Sequence, residues 1–413
     1  MSIASLDTAN ADTSFESLRA LDWLNFFLAA LLAGFGPFVA VYLAARGWPS
    51  ADVGFVLTAG GLAGLLTQVP AGELIDMAKS KRAIVGAGIG AVAVGLLILG
   101  LRPDFLSVFV AAVVQGMAGS VLGPGIAAIS LGLVGQGGFA ERLGRNQRFA
   151  SLGGLTAAAI MGLTGYLFSI QAIFFAGAVP LLPVLLALMG IRATDIHYGR
   201  SCGAPDCHDK DGPRSSRVVL FKDHRLLVLA TCVLLFQLAN ASILPLLAER
   251  LAHAEGQRSS LVVSALIFVP QIVVAAFAPW VGRAADTWGR RPLLLLGLGA
   301  VPIRSTLFAF TADPTLSVAI QTLDGLSGAT LGVLTTLVIA DLTKGTGRFN
   351  LAQALVATLS AVGASLSTSM SGLVVSRYGD MAGFLSVTAI GLIAVATLLV
   401  FMPETKPLAQ AAR

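Results

Sequence analysis

Two residues in this sequence carry charge where charge is costly. Arg304 and Asp324 each interrupt a long apolar run, and either one alone costs about 2.5 to 3.5 kcal/mol at the centre of a membrane helix. Arg304 lies eleven residues past Leu293, about 16 Å along a helix, and Asp324 nine residues past Thr315, about 14 Å. Entered from opposite ends, these distances sum to about 30 Å, the thickness of the hydrocarbon, so the two groups share a depth and can pair across antiparallel helices. A lone carboxyl at that depth keeps its proton, whereas a neighbouring guanidinium favours the charged form. A group held between those tendencies suits proton coupling. The same pair could also receive a substrate anion or be a structural ion pair.

A second set of residues has loop chemistry. The segment GRAADTWGRRP, Gly282 to Pro292, places Asp286 four residues after Gly282 and follows it with Gly289, Arg290 and Arg291. An earlier segment, GELIDMAKSKR, repeats Gly72 and Asp76 but carries Lys79 and Ser80 where the later one has Gly289 and Arg290. Both acids fall at the ends of apolar runs, where a helix C-terminus already presents partial negative charge, so each needs a positive partner: an Arg or another helix's N-terminus. Gly72 and Gly282 admit a neighbouring helix closely. The set reads as a latch whose pairing changes with conformation, or as charges that only fix topology. The more complete second copy is expected to dominate gating.

The elements that position these residues are apolar helices. Of the 413 residues 56% are hydrophobic and only 12% charged, and the mean hydropathy is +0.83. A soluble fold would carry about 25% charged residues. Apolar runs fall at 21–45, 51–71, 83–101, 105–134, 149–170 and 171–191, and again at 226–248, 260–281, 293–311, 314–340, 351–376 and 381–402. Each can span the hydrocarbon as a helix. With the N-terminus inside, the inner segments hold 21 of the 27 Lys and Arg and the outer loops hold five, so both termini are expected in the cytoplasm. The two sets of six are related: QGMAGSVLG at 115–123 aligns with DGLSGATLG at 324–332, Gly72 and Asp76 with Gly282 and Asp286, and Pro37 with Pro245. A duplicated six-helix unit is a common transporter architecture, with the substrate near the midplane between the halves. The net charge of +5 follows from topology and needs no nucleic-acid partner.

The glycine, acid and Gly-Arg-Arg pattern at 282–291, its partial copy at 72–82, the twelve runs and the closing MPETK at 402–406 together resemble the major facilitator superfamily. The resemblance implies an all-α membrane protein of 12 transmembrane helices in two pseudo-symmetric six-helix bundles. These would be an N-terminal tail at 1–20, a bundle at 21–191, a cytoplasmic linker at 192–225, a bundle at 226–402 and a tail at 403–413. In that fold the first, fourth, seventh and tenth helices line the cavity, which makes Asn25, Gln115, Gln237, Asn240 and Gln321 candidates to touch substrate. Gln321 and Asp324, spaced i and i+3, share a helix face. Two departures are visible. Ala112 stands where proton-coupled antiporters of the family place an Arg, and Gly154, Gly162 and Gly165 come without the Gly-Pro pair of drug antiporters.

In the linker Cys202, Cys207 and His208, with His197, match no standard zinc spacing and are read as part of a polar spacer. No catalytic residue, metal site or cofactor is expected. No phosphate-binding Gly-Lys-Ser/Thr loop occurs, so an ion gradient, of protons by this reading, would drive the cycle. The expectation is a monomeric secondary transporter in a bacterial inner membrane that exports a small, partly apolar molecule by alternating access. Proton-coupled uptake of a small anion and a non-transporting receptor or sensor are the alternatives.

Overall fold

The computed structural model describes residues 15–33, 39, 42–43, 46–102, 104–169, 171–203, 223–247, 250, 259–311 and 313–405. Helices make up almost all of this. They are α1 (Phe15–Leu32), α2 (Ser50–Met77), α3 (Lys81–Leu101), α4 (Phe105–Leu167), α5 (Ala172–Ala178), α6 (Leu181–Gly190), α7 (His224–Asn240), α8 (Ser259–Trp288), α9 (Arg290–Phe310), α10 (Pro314–Ile320), α11 (Thr322–Leu342) and α12 (Phe349–Phe401). Among the described residues nine stretches are long and apolar enough to cross a membrane. Two of these are double length. α4 turns at Gly135 (φ +65°) and α12 at Gly379 (φ +81°), left-handed positions that only glycine adopts without strain, so each crosses twice. Counted this way the nine stretches make eleven crossings among the described residues, and α1 adds a further helix before them. Pro37, one of the repeat matches, lies outside the described residues.

The second limb of α4 begins directly after Gly135, well before the expected start at 149, because Glu141, Arg142, Arg145 and Arg148 extend the helix as polar turns. Helix starts are marked by side-chain caps: Ser80 accepts from Ala83 N, Asp104 from Ser107 N, Asp223 from Arg225 N and Asp313 from Leu316 N.

The chain divides into two compact units. The first comprises Met1–Arg142, Phe149–Arg214 and Lys344–Ala354; the second comprises Leu143–Arg148, Ser215–Thr343 and Leu355–Arg413. The expected bundles therefore differ from these units at two short segments, 143–148 and 344–354. In unit 1 the core is built from Leu24, Val92, Leu96, Leu122, Phe174 and Leu188 and their neighbours. In unit 2 Leu294, Leu298, Val301, Phe308, Leu334 and Leu337 are buried. Between lipid-solvated helices such packing rests on van der Waals fit and interhelical hydrogen bonds rather than on exclusion of water.

The linker begins differently from the uniform spacer expected. Residues up to Gly203 are ordered in unit 1: His197 N donates to Gly132 O at 3.1 Å, and Cys202 O accepts from Phe349 N at 3.3 Å. Cys202 is buried and disulfide-bonded, which removes its thiolate from any metal reading. Cys207 and His208 lie outside the described residues.

Candidate functional site

In unit 2, α9 carries Arg304 to a point where α7 and α11 both reach it. Its Nη1 pairs with Asp324 Oδ1, and its Nη2 donates to Asn240 Oδ1 at the last residue of α7. Gln321 Nε2 lies 3.4 Å from the other oxygen of Asp324. Arg304 is 2% exposed and the Asp324 side chain 28%. The cation is thus enclosed and anchored, and the acid keeps an accessible face. Beside it, Gly325 packs against Val273 and the Pro270 carbonyl of α8. Nε of Arg304 and Oε1 of Gln321 are buried without a hydrogen-bond partner among the described residues, polar capacity in excess of those contacts.

The remaining amides divide. Gln237 Nε2 donates to Ser360 Oγ at 3.2 Å, tying α7 to α12, and just past the end of α7 Ser242 N donates to Ser367 Oγ at 3.0 Å. Asn25 is buried and donates to Leu21 O of its own helix at 2.8 Å, the inward-turned alternative for an amide in a membrane helix. Gln115 Oε1 is buried and has no hydrogen-bond partner among the described residues.

The two loops are built unlike one another. In the first, Asp76 is 4% exposed and accepts three donors at the start of α12: Asn350 N at 3.3 Å, Asn350 Nδ2 at 2.7 Å and Leu351 N at 3.0 Å. A helix N-terminus here supplies the positive partner that the acid needs. Gly72 makes the approach possible, since a Cβ there would meet Asn350 O at 2.6 Å and Ala354 Cβ at 2.8 Å. Lys81 is buried and its Nζ donates to the Ile75 carbonyl at the end of α2. Glu73 lies 3.9 Å from Arg348.

In the second loop, Arg290 donates through Nε to Asp341 at 3.0 Å and through Nη1 to Ala285 O at 2.7 Å, and its Nη1 is 3.4 Å from Asp286. Asp341 is nearly as buried as Arg290, at 6% and 5%. Glu404, two residues after Met402, caps α9 by accepting from Arg290 N at 2.8 Å and Arg291 N at 3.0 Å. Its carboxylate sits where a Cβ on Gly289 (φ +94°) would go. Gly282 is buried, whereas the Asp286 side chain is 46% exposed. Among the described residues α12 offers Asp76 an N-terminus, whereas Asp286 meets Arg290 of its own loop.

Sequence reasoning missed several partners. Asp22 and Arg142 form a buried ion pair in unit 1, at 2% and 4% exposure, with Arg142 Nη1 also donating to Leu18 O at 3.2 Å. The signal available was Asp22 at the edge of an apolar run. Asp341, Glu404 and Lys81 lie at run ends and read as topology charges.

The profile of the major facilitator superfamily matches residues 22–268 and again 226–413. The chain belongs to the major facilitator superfamily. It is 36% identical over 389 residues to an uncharacterized MFS-type transporter of Mycobacterium tuberculosis, covering 94% of this chain and 93% of that one. Over 87 residues, 21% of each chain, it is 38% identical to the class B tetracycline resistance protein of Escherichia coli. Among solved structures it resembles the proton:xylose symporter XylE, with a TM-score of 0.78 at 12% identity over 96% of this chain and 97% of the other. It also resembles the nucleoside transporter NupG, with a TM-score of 0.66 at 15% identity over 94% and 100%. These two likenesses establish the fold. The protein is therefore an integral membrane transporter of a small molecule, built as the twelve-helix superfamily fold.

Proposed function

We propose that this superfamily member is a proton-coupled exporter of a small, at least partly apolar molecule, working by alternating access, with Asp324 as the coupling carboxylate. The observation that carries the reading is the Arg304 and Asp324 pair: an enclosed cation fixed by Asn240, joined to an acid that retains an accessible face. Loss of charge on Asp324 leaves Arg304 uncompensated in a medium of low dielectric, so protonation is a large local perturbation able to bias one conformation over another. Export is supported by the partial similarity to a tetracycline resistance protein. Uptake of an anion on Arg304 is supported less, since that guanidinium is 2% exposed and already engaged. The gating role falls on the two loops, mainly on Asp76 with its buried partners. Both termini are placed in the cytoplasm by the basic bias, in a bacterial inner membrane.

The test begins with a ligand found by thermal stabilisation of the purified protein, since a molecule that binds the native state raises its stability. In proteoliposomes with an imposed pH gradient, Asp324→Asn should bind this ligand and exchange it downhill while failing to accumulate it. A doubly apolar variant, Arg304→Met with Asp324→Leu, decides against a purely structural pair, which tolerates such replacement. If that variant still concentrates the ligand against a gradient, the coupling role is wrong.

A further inference from the structure

Between α2, α3 and α4 of unit 1 lies a cavity of about 470 Å³ that the transport reading does not use. It arises because α2 and α4 cross tightly and then part. At the crossing a Cβ on Gly60 would meet the Ala112 carbonyl oxygen at 2.8 Å, one on Gly64 would meet that of Gly116 at 3.0 Å, and one on Gly116 would overlap Gly60 O. One turn beyond, at Thr67 and Ser120, the cavity opens, and Pro70 interrupts the hydrogen-bond ladder of α2 beside it. α3 contributes small residues, Ala87 and Ala91, to the wall. The rim is apolar, with Leu74 54% and Met117 45% exposed. No residue lining the cavity is ionisable.

The polarity of this chamber is concentrated in the Thr67 and Ser120 hydroxyls, whose oxygens are 3.2 Å apart. Both protons have strong acceptors on their own helices: Thr67 Oγ1 donates to Ala63 O at 2.6 Å and Ser120 Oγ to Met117 O at 2.7 Å. The oxygens keep their lone pairs, so the hydroxyls present acceptors toward a ligand. A charged guest would lose its hydration with no counter-charge to replace it. A guest with one donor would find its acceptor in either oxygen while burying its apolar body.

We infer that this cavity is a binding site for a small, neutral, predominantly apolar molecule with a single hydroxyl or N–H, which donates to the Thr67 or the Ser120 oxygen. The site lies within unit 1 and is read by equilibrium binding without any gradient, so its outcome is independent of coupling at Asp324.

The test uses 2-naphthol and its ether, 2-methoxynaphthalene, which keeps the ring system and lacks the donor. Purified protein in nanodiscs is dialysed against each probe, with empty nanodiscs correcting for partition into lipid. Saturable binding of 2-naphthol is expected, weakened about tenfold by Thr67→Val with Ser120→Ala, as the loss of one hydrogen bond implies. The ether should bind wild type more weakly and be indifferent to that double substitution. Ala91→Phe, which projects a ring into the cavity, should weaken saturable binding of both probes. If it compromises folding, Ala87→Leu at an exposed position replaces it. Binding of 2-naphthol no greater than to empty nanodiscs, equal affinities for the two probes, or binding left unchanged by Ala91→Phe would each overturn the inference.

Discussion

The first and second loops descend from one repeated pattern and are held in opposite ways. The second keeps the full Gly-Arg-Arg sequence, and its arginine turns inward to Asp341 and Ala285 while Asp286 stays half exposed. The first has lost the glycine and the first arginine, yet its acid is buried on three donors of α12 and its lysine caps the end of α2. Lys81 on Ile75 O and Arg290 on Ala285 O perform the same task, since each places a cation on the carbonyls that end the preceding helix. The pattern thus specifies a charge at a helix terminus, and more than one residue type can deliver it. How strongly each acid is engaged depends on what lies opposite, which the loop's own sequence does not encode.

The comparison can be broken most sharply at Arg290. Arg290→Ala strands Asp341 in a buried position and should cost about 3 to 5 kcal/mol of stability, read by denaturant unfolding in detergent. Adding Asp341→Ala should restore much of this, and a single variant as stable as wild type would show that the pair is not what fixes the second loop. Next comes Asp76→Ala, which leaves three donors at the head of α12 without an acceptor and should cost about 2 to 3 kcal/mol. Amide exchange at Asn350 and Leu351 should accelerate; unchanged protection would mean that the α12 N-terminus does not depend on the acid. Asp76→Asn, which keeps one acceptor, should fall between that variant and wild type.

A smaller effect is expected at Glu404, where loss of the cap on α9 in Glu404→Ala should cost about 1 kcal/mol, measured as a shift in unfolding midpoint. The smallest belongs to Asp286→Asn, below about 1 kcal/mol because the acid is 46% exposed. In transport assays Asp76→Asn should also slow turnover more than Asp286→Asn. The reverse order would return gating to the complete copy of the motif.

The helical architecture was legible because hydrophobic length is a property of the chain alone. The meeting of Arg304 and Asp324 was legible for a related reason: charges inside apolar runs are few, and depth arithmetic decides which can touch. Asn240 completed that cluster from a list of amides, but the list could not separate it from Asn25, whose amide turns to its own backbone. Charges at run ends were not legible. Asp22, Arg142, Asp341 and Glu404 look in sequence like residues that face water, and only packing shows each against its partner. Asp76 and Asn350 are 274 positions apart, and nothing local to either announces the other.

The exchange of 143–148 and 344–354 between the units has a genetic consequence. The gene's two halves, divided at the linker, do not coincide with the protein's two bodies. A first half expressed alone would lack the strip that receives Asp76, and a second half alone would carry that strip with nothing to receive. Fragments co-produced from separate start sites should therefore need each other to mature.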